Sequence, residues 1–320
     1  MNKETGKKEI LLIIPYFGKT PPWIEYFIES CRYNPRIDWL LYGNLNIPSQ
    51  IPNNIKVIPS VIDDFYTRIY NRLGIKIQLP FPYKICDFRP AFAELFQDLI
   101  IGYEFWGYCD LDLIFGNIYN KLVHHNYSMF DVVTTRLDSL AGHFTLYRNN
   151  DLINNMYKKI WQYRSALLKA DRHFYLDERS NYIGQVFLTK KKNIFRLAEK
   201  VRDSFSYRIY KKLPMLYDIT RVVERYEKHG ILKLLRIPYI LSDENFNKKN
   251  IQEWKVVWER GKLTDPMSGR EMIYFHFIQQ KHKKDFVIGA FSSNLAFSIT
   301  SRGINTINPH NDNAKEMGIF

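Results

Sequence analysis

The stretch YEFWGYCDLDLIFGNI, residues Tyr103–Ile118, constrains this chain most, because it places two carboxylates inside an apolar run. Asp110 and Asp112 interrupt aromatic and aliphatic residues, and a charge among such neighbours is costly unless a partner compensates it. Residues i and i+2 of an extended segment project to the same side, so both carboxylates can face one ion. We expect a divalent cation carrying a diphosphate, and hard oxygen ligands of this kind suit Mn²⁺ or Mg²⁺.

A D-x-D triplet by itself is a frequent chance pattern, and a solvated turn with two acidic residues would produce the same letters. Here the triplet follows the apolar stretch Phe105–Cys109, which reads as a strand, and it comes well into an α/β pattern. This context favours a metal site over a turn.

The beginning of the chain predicts a Rossmann-like α/β fold. Ile10–Pro15 is a continuous apolar run of the kind that is buried on both faces of a parallel sheet. A helix is expected over Pro21–Arg32, and strands are expected at Asp38–Tyr42 and Ile55–Ile58. The glycine-rich dinucleotide fingerprint and the P-loop sequence are both absent, so a nucleotide would be held by other means.

Later elements continue the same alternation of strands and helices. Further strands are expected at Asp131–Thr135, His143–Tyr147, Glu253–Glu259, Met272–Phe277 and within Phe286–Thr300, and further helices at Pro90–Ile101, Asn149–Arg164 and Asn181–Leu188. The sequence therefore predicts a mixed sheet flanked by helices.

The composition limits the partners. The 320 residues can bury a large core, and the net charge of +13 suits anions such as nucleotides, nucleic acid or an anionic membrane surface. The 16% aromatic content fits either a ring-shaped ligand or an aromatic core. Basic residues are dispersed and no nucleic-acid motif occurs, so no nucleic-acid partner is expected. Three cysteines without metal-ligand spacing predict a reducing, cytoplasmic compartment.

The segment Lys190–Leu241 is basic, aromatic and partly amphipathic. It could lie on an anionic membrane surface, with its apolar side chains in the interface and its Lys and Arg side chains toward the headgroups. The alternative is a helical C-terminal lobe with a solvated charged face, which is the favoured interpretation. No apolar run reaches the roughly 20 residues of a membrane span.

Two further groups of residues are candidates for a site. Asp87 and Arg89 precede an expected helix at Pro90, where Asp87 could cap the helix or where both could contact a nucleotide. Near the end of the chain, His276 is followed by a cluster of lysines, which favours a functional histidine over a core one: Lys281, Lys283 and Lys284.

Together these residues resemble a glycosyltransferase of the GT-A type. The resemblance rests on the first strand ending in PYFG, then Asp87-Phe88-Arg89, Asp110-Leu111-Asp112 and His276-Phe277 followed by Lys281. The late segment resembles the H-F-x-G-x-x-K signature of the glycogenin and lipopolysaccharide galactosyltransferase group, without its glycine and with different spacing. The layout from Ile10 to Phe291 is also similar to an uncharacterised bacterial family associated with polysaccharide gene clusters.

The resemblance implies a single GT-A-like catalytic domain over residues 1–300, with a nucleotide-sugar half (1–190), an acceptor half (191–300) and a polar tail (301–320). It implies a UDP- or GDP-sugar donor, a saccharide or lipid-linked acceptor in surface polysaccharide synthesis, and a cytoplasmic enzyme that could be peripheral on the inner membrane face. The implied metal ligands are Asp110, Asp112 and His276. The implied donor-binding residues are Pro15, Tyr16, Phe17, Asp87, Arg89, Asp110 and Lys281.

An inverting enzyme of this type would also need a carboxylate to deprotonate the acceptor hydroxyl. Asp177 and Glu178 are the candidates, and helix capping is the alternative for both. A retaining enzyme would not need such a base, and the sequence does not decide between the two outcomes.

Three rival functions fit parts of the sequence. A phosphatase of the haloacid-dehalogenase kind also uses D-x-D after a strand, but usually after the first strand and before Thr or Val, whereas Leu113 follows here. A nucleic-acid-binding protein and a peripheral membrane scaffold are the non-catalytic alternatives.

Overall fold

The computed structural model describes residues 8–77, 82–169, 173–178, 218–237, 241–248, 253–292 and 296–307. Its α-helices are α1 (Ile24–Arg32), α2 (Ile62–Leu73), α3 (Phe92–Leu95), α4 (Ile118–His124), α5 (Asp151–Asn154), α6 (Tyr163–Leu168), α7 (Ile219–Lys228) and α8 (Asp243–Lys248). Short 3-10 helices cover Pro82–Ala91, Tyr127–Met129, Met156–Lys159 and Gln280–His282.

The strands are β1 (Lys8–Tyr16), β2 (Ile37–Gly43), β3 (Ile55–Pro59), β4 (Tyr103–Cys109), β5 (Leu113–Phe115), β6 (Val132–Thr134), β7 (Phe144–Arg148), β8 (Leu234–Arg236), β9 (Leu241–Ser242), β10 (Lys255–Glu259), β11 (Lys262–Asp265), β12 (Arg270–Met272), β13 (Tyr274–His276), β14 (Val287–Ile288), β15 (Ala296–Thr300) and β16 (Gly303–Thr306). No helix among these residues is long and apolar enough to cross a membrane.

The main sheet has the strand order β3-β2-β1-β4-β7-β6-β8. Strands β3, β2, β1 and β4 are parallel, whereas β7 runs antiparallel to β4. The predicted mixed sheet flanked by helices is therefore confirmed. Because β1 and β4 are parallel neighbours, their carboxyl ends meet at one edge, and the residues after Tyr16 and after Cys109 come together there.

The core explains why the apolar run of β1 forms a central strand. Leu11 and Ile13 pack into a cluster on one face of the sheet, and Ile10, Leu12 and Ile14 pack into a cluster on the other face. All five side chains are buried. A strand buried on both faces has no polar side to alternate with, and its sequence reads as one hydrophobic run.

A three-stranded sheet of order β5-β13-β9 brings distant parts of the chain to this edge. Strand β13 runs antiparallel to β5, and this register pairs His276 with Leu113. The N–H of Phe277 donates to the carbonyl of Asp112 at 3.3 Å. The pairing therefore places His276 beside the second aspartate of the D-x-D.

The carboxyl-terminal part of the chain contains helices α7 and α8 and a second sheet. The strands expected at Glu253–Glu259 and within Phe286–Thr300 are present as β10 and β15, and they belong to a six-stranded sheet of order β12-β11-β10-β15-β16-β14. In this sheet the indole of Trp258 stacks on Phe297, with ring centroids 4.7 Å apart. The alternating burial of Lys255–Glu259 has the period of a strand, which suits such a sheet and not a helix.

Other boundaries also differ from the expectations. Gly303–Thr306, expected within the polar tail, is a strand paired with β15. The expected strand Met272–Phe277 is divided at Ile273 between two sheets. The helix expected over Asn149–Arg164 is divided into α5, a 3-10 helix and the start of α6, and Gln162, with φ of +52°, precedes α6. The expected helix Asn181–Leu188, and most of the basic segment 190–241, lie outside the described residues.

Two helices also differ from the expectations. Helix α2 (Ile62–Leu73) was not predicted, although its buried residues follow helical spacing. The helix expected from Pro90 to Ile101 is instead a 3-10 helix over Pro82–Ala91, followed by the short α3. Pro90 therefore lies inside the 3-10 helix and does not begin an α-helix.

Candidate functional site

The D-x-D carboxylates and the late histidine form one cluster. One potential ligand atom from each of Asp110, Asp112 and His276 lies within 4.8 Å of the others. His276 Nε2 is 3.1 Å from Asp112 Oδ2, and both side chains are buried, whereas Asp110 is half-buried. Two carboxylates suit Mn²⁺ or Mg²⁺, and an imidazole nitrogen beside them favours the transition metal of the two, Mn²⁺.

Backbone hydrogen bonds fix the D-x-D turn on both sides. The N–H of Asp110 donates to the carbonyl of His143 at 3.1 Å, and the indole N–H of Trp23 donates to the carbonyl of Leu111 at 2.8 Å. The carbonyl of Asp112 accepts from β13, as described above. The turn is thus held by three separate segments of the chain, which preorganises its carboxylates.

Two basic side chains form ion pairs with these carboxylates. Lys281 Nζ is 2.7 Å from Asp112 Oδ2, and Arg89 Nη2 forms an ion pair with Asp110 Oδ1. Burial would raise the pKa of Asp112, but His276 and Lys281 lower that pKa well below its ordinary value. Burial raises the pKa of Asp110, although Arg89 opposes it.

The same contacts act on the basic partners. Burial would lower the pKa values of His276 and Lys281, but the charge of Asp112 raises both above their ordinary values. Lys283 and Lys284, the other lysines considered for a phosphate contact, are exposed. The structure therefore places Lys281 at the carboxylate cluster.

A second histidine, not singled out from the sequence, supports the cluster. The His143 ring lies 4.4 Å from the His276 ring, centroid to centroid, at 34° between planes. Its Nε2 is 2.9 Å from the hydroxyl of Tyr274, which in turn is 2.5 Å from Thr135 Oγ1. Burial lowers the pKa of His143 well below its ordinary value, and the neighbouring His276 adds to this effect.

Lys281 is oriented by a carboxylate that no sequence pattern indicated. Asp243 Oδ2 accepts the backbone N–H groups of Gln279 and Gln280, both at 2.8 Å. Asp243 is fully buried and follows β9, which is parallel to β13. It thus holds the short helix Gln280–His282 that carries Lys281.

The cluster opens into a cleft of about 540 Å³. The lining includes seven residues that the sequence predicted for the site: Pro15, Tyr16, Phe17, Arg89, Asp110, Asp112 and Lys281. The lining also includes residues that were not predicted, among them Lys19, Trp23, Tyr83, Cys86, Ile278 and His282. These come from the loop after β1, from the 3-10 helix Pro82–Ala91 and from the segment that follows β13, and none of these stretches shows a motif.

Asp87 does not line this cleft, and it does not cap a helix. Its buried carboxylate accepts the N–H of Phe174 at 2.9 Å and that of Leu176 at 3.2 Å, and Lys84 Nζ lies 2.8 Å from Oδ2. Helix α3 begins after Ala91 and has no side-chain cap. Asp87 instead anchors the segment 173–178, which carries the two acidic residues predicted as a base.

Arg89 joins that segment to the carboxylate cluster of Asp110 and Asp112. While Nη2 contacts Asp110, Nη1 lies 2.9 Å from Asp177 Oδ2 and also donates to the carbonyl of Gly142. The guanidinium lies over the ring of Tyr108 at 5.2 Å from its centroid. One arginine therefore bridges the D-x-D and the acidic pair 177–178.

The two acidic residues differ in environment. Asp177 is buried and engaged by Arg89, whereas the Glu178 side chain is 30% exposed and lies 3.9 Å from Arg136 Nη1. Burial, with the adjacent Asp177, raises the pKa of Glu178 to about 7. A Cβ at Gly142 would lie 3.2 Å from Glu178 Oε2, so a glycine there lets the carboxylate approach closely.

Residues 12–308 match the sequence model described as "Family of unknown function (DUF6625)". The chain belongs to this family. A search of curated proteins finds no match. The family description assigns no activity, so a function has to be argued from the site.

Two solved glycosyltransferases are loosely similar. Mouse xyloside xylosyltransferase 1, apo form, aligns at 8% identity with a TM-score of 0.37, covering 86% of this chain and 99% of that one. The galactosyltransferase LgtC, in complex with donor and acceptor sugar analogs, aligns at 10% identity with a TM-score of 0.32, covering 84% and 87%. Likeness at this level carries no weight for function.

Proposed function

We propose that this chain is a metal-dependent glycosyltransferase of the GT-A type that transfers a sugar from a nucleoside-diphosphate sugar to a saccharide or lipid-linked saccharide. The observation that carries the proposal is the contact of His276 with Asp112, beside Asp110 and Lys281, in a cleft at the carboxyl edge of parallel strands. Ligands of open α/β sheets bind at that edge.

Asp110, Asp112 and His276 would hold the metal. A bound Mn²⁺ or Mg²⁺ would act as a Lewis acid that neutralises charge on the departing nucleoside diphosphate. The cluster fits this task because its donors are carboxylate oxygens and an imidazole nitrogen that lie within 4.8 Å of one another.

The chain's own residues would bind the diphosphate and the nucleoside. Lys281 and Arg89 supply positive charge where negative charge develops on the leaving group. The loop after β1 forms one wall of the cleft through Pro15, Tyr16 and Phe17. A cleft of about 540 Å³ is large enough for a nucleotide-sized ligand.

Glu178 is the proposed base of a direct displacement. The acceptor hydroxyl oxygen would bond to the anomeric carbon, the bond from that carbon to the diphosphate oxygen would break, and Glu178 would take the hydroxyl proton. Asp177 suits this role less well, because it is buried and engaged by Arg89. A carboxylate with a pKa of about 7 is matched to accepting a proton near neutral pH.

Thermal unfolding with Mn²⁺ and UDP or GDP tests the proposal, because a ligand that binds the folded state raises stability. We expect the nucleotides to raise the unfolding temperature only with metal present, and Asp112→Asn to abolish this effect. Asp98→Asn serves as a control, because Asp98 pairs with Arg68 and does not line the cleft. Hydrolysis of p-nitrophenyl phosphate without any nucleotide effect would favour the phosphatase instead.

The cellular setting is part of the proposal. By the resemblance, one catalytic domain would act in surface polysaccharide synthesis, on the cytoplasmic side of the membrane. Sedimentation with vesicles of anionic lipid at low salt tests a peripheral association, and absence of co-sedimentation would remove it.

A further inference from the structure

Tyr175 has a backbone conformation that aromatic residues rarely adopt. Its φ is +56°, in the left-handed region. Non-glycine residues persist there when the surrounding structure holds them, and they concentrate at ligand sites. Its side chain is nevertheless 39% exposed, so burial of the ring does not account for the conformation.

One buried carboxylate holds this conformation in place. Asp87 accepts the N–H groups of Phe174 and Leu176, the two neighbours of Tyr175 in the chain. Lys84 pairs with Asp87 and has no exposed side-chain surface. The turn that carries Tyr175 is therefore held by the buried ion pair of Asp87 and Lys84.

A second exposed ring lies beside the first. Tyr175 packs on the imidazole of His173 at 4.2 Å between centroids, and Tyr83 packs on the same imidazole edge-on at 5.3 Å. Tyr83 is 60% exposed and lines the cleft. The charges of Asp110, Arg89 and Asp177 act on the hydroxyl of Tyr83.

The imidazole on which both rings pack lies at the acidic pair, with His173 Nε2 3.7 Å from Asp177 Oδ1. Tyr175 is two residues from Asp177, which Arg89 joins to the D-x-D, and three residues from Glu178. Arg136 Nη1, 43% exposed as a side chain, lies 3.9 Å from Glu178 and adds polar donors at this place. Rigid tyrosine rings offer a flat apolar face with a polar tip, which matches the C–H face and hydroxyl edge of a pyranose.

We propose that Tyr175 and Tyr83 form the acceptor subsite, in which a pyranose ring stacks on the exposed tyrosines with a hydroxyl directed at Glu178. This subsite rests on the glycosyltransferase proposed above. It makes the acceptor a saccharide whose terminal pyranose presents an unbroken C–H face. Asp87 is then a positioning residue, which acts through the Tyr175 turn and does not touch the donor.

The test is saturation-transfer difference NMR on the full chain with Mg²⁺ and UDP, with lactose and methyl α-D-glucopyranoside as probes. We expect saturation of pyranose C–H protons, reduced about fivefold or more by Tyr175→Ala and by Tyr83→Ala. Tyr175→Phe keeps the ring and should keep the signal. Tyr70→Ala is the matched control, because Tyr70 is 58% exposed and belongs to α2, not to either of the two segments whose tyrosines pack on His173.

Tyr175→Gly separates loss of the ring from loss of the fold. Glycine adopts positive φ readily, so this variant should unfold at the wild-type temperature or above while losing the pyranose signal. Unchanged saturation of the pyranose protons in both alanine variants overturns the subsite. It is also overturned if neither probe receives saturation from the wild type while UDP still binds. Weaker UDP binding by Tyr83→Ala with the pyranose signal intact would assign that ring to the nucleotide and also overturn it. Failure of the wild type to bind either UDP or GDP with metal present would instead refute the glycosyltransferase itself.

Discussion

His276 Nε2 lies 3.1 Å from Asp112 Oδ2, although 164 residues separate the two in sequence. The antiparallel pairing of β13 with β5 creates this contact, since it sets His276 opposite Leu113, the residue after the D-x-D. The cluster is therefore a property of the tertiary fold. A metal that binds it would couple the carboxyl-terminal part of the chain to the main sheet.

Removing the histidine should weaken metal binding without unfolding the chain. We expect His276→Ala to lower Mn²⁺ affinity at least about tenfold, because one of the three donors is lost and Asp112 loses a partner. Isothermal titration calorimetry with Mn²⁺ measures the change. His229→Ala, at an exposed histidine, should bind as the wild type does. Equal affinity in the two variants would remove His276 from the site.

Replacing the bridging arginine should slow turnover far more than it destabilises the fold. A lysine carries one ammonium and cannot span Asp110 and Asp177 as the guanidinium of Arg89 does. We expect Arg89→Lys to lower the rate of donor-sugar turnover about 10²-fold. Arg68→Lys is the control, because Arg68 pairs with Asp98 by two nitrogens and does not line the cleft. Similar rates in the two variants would contradict the bridge.

Removing Asp243 should loosen the turn that carries Lys281. Asp243→Ala removes the acceptor of the N–H groups of Gln279 and Gln280, at about 1–3 kcal/mol for the buried N–H of Gln280. We expect a lower urea midpoint and weaker UDP binding with metal present. Asp243→Asn keeps an acceptor oxygen and should recover part of both. Wild-type UDP affinity in the alanine variant would show that Asp243 does not orient Lys281.

The pH dependence of the reaction should report Glu178. The pKa of Glu178 is raised to about 7, so as a base it is inactive below that pH, and kcat/KM should fall about tenfold for each pH unit under it. Measuring kcat/KM from pH 5 to 9 gives this acidic limb of the pH profile. Glu178→Gln should lower the rate and abolish the limb. A limb near pH 7 that survives in this variant would assign it to another group.

The same group has an effect of known sign on stability. From the ordinary pKa of 4.5 up to about 7, the unfolded chain releases the Glu178 proton while the folded chain keeps it. The wild type therefore loses stability across this range, and Glu178→Gln does not. The unfolding temperature of the variant should rise relative to the wild type between pH 5 and 8. A difference that is constant with pH would contradict the raised pKa.

Local patterns in the sequence predicted the elements that carry the site. The apolar runs of β1 and β4 and the D-x-D were readable because strands buried on both faces, and charges that interrupt them, leave a strong local signal. His276 was found because a cluster of basic residues follows it. The sequence could not predict that His276 lies beside Asp112, since the strand pairing between β5 and β13 depends on tertiary contacts.

The supporting contacts were not predictable in the same way. Asp87 was read as a helix cap or a nucleotide contact, but its partners are the backbone N–H groups of Phe174 and Leu176. Asp243 accepts two backbone N–H groups, and His143 packs on His276. Nearly every residue has a backbone N–H group, so a side chain that binds such groups does not require particular residue types as partners and produces no sequence motif.

Anomalous scattering from Mn²⁺ tests the central claim most directly. Crystals grown with Mn²⁺ and UDP, measured at the manganese edge, should show one strong peak among the side chains of Asp110, Asp112 and His276, with the diphosphate beside Lys281. Bound UDP with a manganese peak elsewhere would contradict the metal site and the glycosyl transfer built on it. Bound UDP with no manganese peak at these three side chains, and with Asp110 and Asp112 still paired with Arg89 and Lys281, would contradict them equally.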